Sequence, residues 1–93
     1  MSLVAPVLPA LQEVTETPTL GRHKLILFND DVNTFEHVIE SLIKICDHSP
    51  EQAEQCALIV HYKGKTSVLS GSMEYLTPRC RALENRGLTV QID

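Results

Sequence analysis

Leu25-Ile-Leu-Phe-Asn-Asp-Asp-Val-Asn-Thr-Phe-Glu-His-Val38 opens as an apolar strand, turns through a polar corner and continues as an amphipathic helix. The corner sets three adjacent side-chain acceptors, Asn29, Asp30 and Asp31, beside apolar walls. Such a cluster suits a ligand that carries a positive amine next to an apolar side chain. The same three residues also suit a plain turn, since Asn and Asp bond their own backbone and tolerate unusual dihedrals. The stretch by itself leaves both readings open.

Working outward, Lys24–Phe28 is short, apolar and bounded by Gly21 and the corner, as expected of a buried strand. The following helix is expected to start at Asn33 as its cap, with Glu36 completing a capping box. Phe35, Val38, Ile39, Leu42, Ile43 and Cys46 recur at helical spacing as a core-facing stripe. Glu36, Glu40 and Lys44 mark the opposite face, with Glu40 and Lys44 one turn apart.

Asp47-His-Ser-Pro50 breaks that helix and starts another, with Ser49 as cap and Pro50 in the first helical position. Ala53, Cys56, Ala57 and Val60 form its inner stripe, and it should stop near Tyr62 with Gly64 as the left-handed terminator. A brief strand over Thr66–Ser70 precedes a turn at Gly71-Ser72. Thr77-Pro78 is expected to begin a third helix, which Gly87 ends, and Leu88–Ile92 alternates as the last strand. The expected order is β-α-α-β-α-β. Three short strands with helices packed on one face make a small α+β domain.

The 93 residues suffice for one modest core, and the expected division is a flexible N-terminal extension over 1–22 and a core domain over 23–93. Pro6, Pro9 and Pro18 interrupt that extension, and it lacks periodicity. A net charge of −4 and only four aromatic residues argue against a nucleic-acid partner. No apolar run reaches the length of a membrane span, and the start lacks the features of a signal peptide. Cys46, Cys56 and Cys80, odd in number and without zinc-like spacing, read as reduced thiols of a cytoplasmic protein. No metal or cofactor is expected. His23, His37 and His48 are expected at the surface.

Catalytic motifs are sparse: the sequence contains no phosphate loop, no metalloprotease helix and no serine elbow. Cys80, between Arg79 and Arg81, is the one candidate for a reactive thiol, so a small thiol enzyme is the enzyme-class alternative. His61 closes the second helix, where either the helix dipole or a contact with the Asn29–Asp31 corner would account for it. Periodicity does not decide between them.

Leu27-Phe-Asn-Asp-Asp31, the capped helix after it, and Ile59-Val-His-Tyr-Lys-Gly-Lys65 together resemble the ClpS family of protease adaptors, over about Lys24 to Asp93. The resemblance implies a three-stranded antiparallel sheet and a monomeric, non-enzymatic protein. Such a protein binds the free N-terminal residue of N-degron substrates, bulky apolar or aromatic, and passes them to the N-terminal domain of a Clp AAA+ unfoldase. By position it implies that Asn29, Asp31 and His61 bind the substrate's α-amino group. It implies a side-chain pocket of Phe28, Asn33, Phe35, Val38, Ala57, Val60 and Leu88, and contacts to the unfoldase from Glu74 and Arg79. The chain departs from the family at Asn33-Thr-Phe35, where Thr-Pro-Met is usual, and at Ala57, where methionine is common. A paralogue with the same fold and another ligand is the alternative within this resemblance.

Overall fold

The structure, a computed structural model, describes residues 22–93. The expected extension over 1–22 lies outside the described residues, Arg22 apart. The elements run β1 (His23–Phe28), α1 (Phe35–Cys46), α2 (Pro50–Lys63), β2 (Lys65–Gly71), α3 (Met73–Asn85) and β3 (Thr89–Ile92). β1 is central in a three-stranded sheet of order β2-β1-β3, antiparallel to both neighbours. Its alternate residues Leu25 and Leu27 are buried against Leu42 and Cys46 of α1, Ala53 and Val60 of α2, and Leu76 and Leu83 of α3. The expected α+β architecture, element order and antiparallel sheet are all present.

β1 also gives the domain its two ends. His23 pairs with Gly71, and Lys24 exchanges backbone bonds with Asp93, so Arg22 and Asp93 lie together at one end of the sheet. Phe28 pairs with Lys65 and Thr89 at the other end, where the polar corner begins.

Two helix starts differ from expectation. Thr34, not Asn33, caps α1, its hydroxyl accepting from the His37 amide at 3.1 Å. Thr34 serves equally well in chemistry, and Asn33 is diverted to bonds described below. The third helix starts four residues before Thr77-Pro78: Ser72 caps it, accepting from the Tyr75 amide, and Pro78 lies inside it. Proline there removes the donor for the Glu74 carbonyl and crowds that group, a cost of about 3 kcal/mol. Side chains cover the two carbonyls flanking it. Thr77 Oγ1 donates to the Met73 carbonyl at 2.6 Å and Arg79 Nη1 to the Tyr75 carbonyl at 2.8 Å. Leu76 and Leu83, both fully buried, anchor the helix on either side of the proline.

Two histidines expected at the surface are structural. His48 is buried because Asp47 adopts a left-handed conformation (φ 58°) and turns the chain inward after α1. His37 is half-buried, and its Nε2 lies 2.8 Å from the Arg86 carbonyl. Arg86 in turn donates from Nε to the buried Ser41 hydroxyl at 2.7 Å, so the last turn of α3 is bolted to α1. On the outer face of α1, Glu40 and Lys44 form a 2.9 Å ion pair. Among the described residues no helix is long and apolar enough to cross a membrane.

Candidate functional site

The polar corner after β1 is joined to the end of α2 by one backbone bond. Gly64 adopts a left-handed conformation (φ 93°) that only glycine takes cheaply, ending α2. Its carbonyl then accepts from the Asn29 amide at 2.9 Å. Residues 35 positions apart in sequence are thereby fixed side by side, and His61, in the last turn of α2, faces the same space as the corner.

Within the corner the three acceptors have different fates. Asp30 is consumed locally. Its Oδ1 accepts from the amides of Val32 and Asn33 at 2.9 Å each, and Asn33 Nδ2 reaches both carboxylate oxygens. The Asn33 amide, foremost among these donors, holds the Asp30 carboxyl below its ordinary range. Among the described residues no side chain or backbone donor bonds the side chains of Asn29 or Asp31. The corner therefore presents two open acceptors, an amide oxygen and a carboxylate, held by a third residue that is already satisfied.

The acceptors stand at the rim of a cavity of about 420 Å³. Ala57 and Val60 of α2, Leu88 and Leu27 form its buried apolar floor, with Val38 half-buried beside them. Phe28, Asn33 and Phe35 complete the lining, Phe35 being 37% exposed at the rim. The structure thus brings around one cavity all ten residues singled out for the amine and the side-chain pocket. Leu27 and Asp30 line it too. Sequence reading assigned Leu27 only to the core and grouped Asp30 with the open acceptors; the tendency of an Asp to bond the amide two residues on, as Asp30 does with Val32 in an Asx turn, was the available signal. The volume suits a small amphipathic group, apolar at its base and cationic at its rim.

The family model described as "ATP-dependent Clp protease adaptor protein ClpS" matches residues 19–91. The chain belongs to the ClpS family. It is 35% identical over 91 residues to the ATP-dependent Clp protease adapter protein ClpS of Nostoc sp., covering 97% of this chain and 94% of that one. The ClpS of Thermosynechococcus vestitus is 32% identical over 85 residues, covering 90% of each chain. Among solved structures, Agrobacterium tumefaciens ClpS2 bound to L-phenylalaninamide superposes with a TM-score of 0.75 at 18% identity, covering 78% of this chain and 95% of that one. That likeness establishes the shared ClpS fold.

The remaining candidates lie away from the ClpS cavity, on or against α3. Glu74 is exposed in its first turn. Arg79 is folded back, its guanidinium 3.9 Å over the Tyr75 ring. At Cys80 the surroundings work against the thiolate: burial pushes its pKa up and Glu84 adds to the rise, against a smaller lowering by Arg81. Burial likewise raises Cys56, and pushes Cys46 up to about 11. Among the described residues no group of three or more His, Cys, Asp or Glu side chains could hold a metal ion.

Proposed function

We propose that this ClpS-family chain is a non-enzymatic adaptor. It binds the free N-terminal residue of a substrate in the cavity and delivers that substrate to a Clp AAA+ unfoldase through the unfoldase's N-terminal domain. Residues 23–93 act as the recognition domain. The observation that carries the reading is the pairing of open acceptors with an apolar base in one cavity. An α-ammonium offers three donors and no acceptor. Asp31 supplies the compensating charge, Asn29 an amide oxygen, and His61, when neutral, a ring nitrogen. Phe28, Asn33, Phe35, Val38, Ala57, Val60 and Leu88 receive the first side chain. L-phenylalaninamide, named with the A. tumefaciens ClpS2 structure, has this same combination of free amine and apolar side chain.

N-acetylation of a binding peptide tests the reading. It removes the charge while leaving Asp31 without its partner, and affinity should fall by about 2–5 kcal/mol. Calorimetry that finds equal affinity for free and acetylated peptides would eliminate this site.

A further inference from the structure

We propose that Asn33 is a positioning residue: by bonding the Asp30 carboxylate and the Gly87 carbonyl together, it sets the width of the pocket for the first side chain. The inference rests on the reading of the cavity as the site of a substrate's N-terminal residue.

The side-chain amide of Asn33 has two N–H groups, and both are used. One direction leads to Asp30, where Nδ2 lies 2.9 and 3.1 Å from the two carboxylate oxygens. The other leads to the Gly87 carbonyl at 2.9 Å, 54 residues away. Asp30 stands between Asn29 and Asp31, so holding it holds the backbone of both open acceptors. Gly87 is bonded covalently to Leu88, which is buried in the cavity floor, and its left-handed conformation (φ 89°) turns its carbonyl toward Asn33. A single amide thus ties the amine side of the cavity to its far apolar wall.

The attachment of α3 to α1 does not depend on this amide. Arg86 is held separately through its carbonyl by His37 and through its Nε by Ser41. Gly87 and Leu88 also stay anchored to α3, their amides donating to the Glu84 and Leu83 carbonyls at 2.9 and 3.1 Å. Loss of the Asn33 bonds therefore frees the polar corner relative to that anchored wall while leaving the helices joined. Width is the property that changes, and width is read by comparing first residues of different size.

Two variants separate the donors of Asn33 from its shape. Asn33→Asp keeps the shape and removes both donors, facing the Asp30 carboxylate and the Gly87 carbonyl with another acceptor. Asn33→Ala removes the group without adding repulsion. Fluorescence polarisation would compare peptides that differ only in beginning with Phe or Leu, with an acetylated control, beside urea unfolding of each protein. Both variants should bind free-amine peptides about tenfold more weakly, and the Phe-to-Leu affinity ratio should collapse toward one. An unchanged ratio, even with weaker binding overall, would overturn the proposal, as would unfolding of both variants. Wild-type protein that binds free and acetylated peptides alike would instead refute the proposed function, whatever the variants do.

Discussion

His48 holds the carbonyl of Val68 at 2.8 Å from Nε2, joining the turn between α1 and α2 to the edge strand β2. A carbonyl only accepts, so Nε2 carries a proton, and the buried Nδ1 has no hydrogen-bond partner among the described residues. Val68 is the residue that β1 leaves unmatched: Leu25 pairs with Leu69 and Ile26 with Ser67. The imidazole thus supports a bulge.

His48→Ala should expose this role. It leaves the Val68 carbonyl unsatisfied and opens a cavity where a 95%-buried ring stood, for a loss of about 1–3 kcal/mol in chemical denaturation. Full stability in the variant would show that solvent replaces the ring without cost.

Asp30 should make the stability of the corner pH-dependent. Its carboxyl is held below its ordinary value of 3.8, so the unfolded state takes up protons first as pH falls. The stabilisation is present at neutral pH and is lost as pH drops through the folded value. Asp30→Ala should therefore be less stable than wild type at about pH 7, and the gap should shrink at about pH 2.5. A gap of constant size would mean that the carboxylate charge is irrelevant to the turn.

Asp31→Asn preserves shape and removes the charge facing a bound ammonium. The change should weaken free-amine peptides by about 1.5–3 kcal/mol while leaving acetylated ones unaffected. His61→Lys should weaken binding further, because a fixed cation then confronts the amine. Titration calorimetry on the two variants measures both effects, and peptide affinity untouched by either substitution would place the amine elsewhere.

Ala57, buried in the cavity floor, should favour large first residues. Leucine underfills the space and forfeits about 0.8 kcal/mol for each missing methylene, whereas Phe, Tyr or Trp fills it and packs on Phe35. Aromatic N-termini should bind better than leucine, with isoleucine and valine weakest, and Ala57→Met should shift preference back to leucine. Polarisation with a panel of first residues decides; leucine equal to phenylalanine in the wild type would show that Phe35 refills the space.

With its pKa raised by burial, Cys80 should be alkylated slowly at neutral pH in the folded protein and quickly in urea. Cys80→Ser should leave peptide binding unchanged. Rapid modification of the folded protein, followed by mass spectrometry, would revive the thiol alternative.

The parts of the fold that were legible in sequence are those set by local chemistry. Ser49-Pro50 and Gly64 delimit α2 because a cap, a preset φ and a left-handed stop act within a few residues. Asn33 and Thr34 are adjacent capping residues, and only the pull of Asp30 and Gly87 on Asn33 decides between them. Pro78 misled because a proline at the start of a helix and one tolerated within it look alike until Leu76 and Leu83 are seen to be buried. His48 looked polar and exposed, and its burial depends on a left-handed Asp47 and on a carbonyl 20 residues away. For the cavity, periodicity placed Val38, Ala57 and Val60 on inner faces. The meeting of the Asn29–Asp31 corner with His61 runs through the Asn29–Gly64 backbone bond, which leaves no mark on side-chain pattern. Resemblance to a family supplied that pairing where spacing did not.

The direction of β1 also imposes a polarity on anything attached to the domain. Arg22 and Asp93 leave at one pole, and the cavity opens at the other, six strand residues or about 20 Å away. A fluorophore or a surface tether at either position sits at the pole opposite the cavity. A tether joined at Arg22 spends about six extended residues merely to draw level with the cavity.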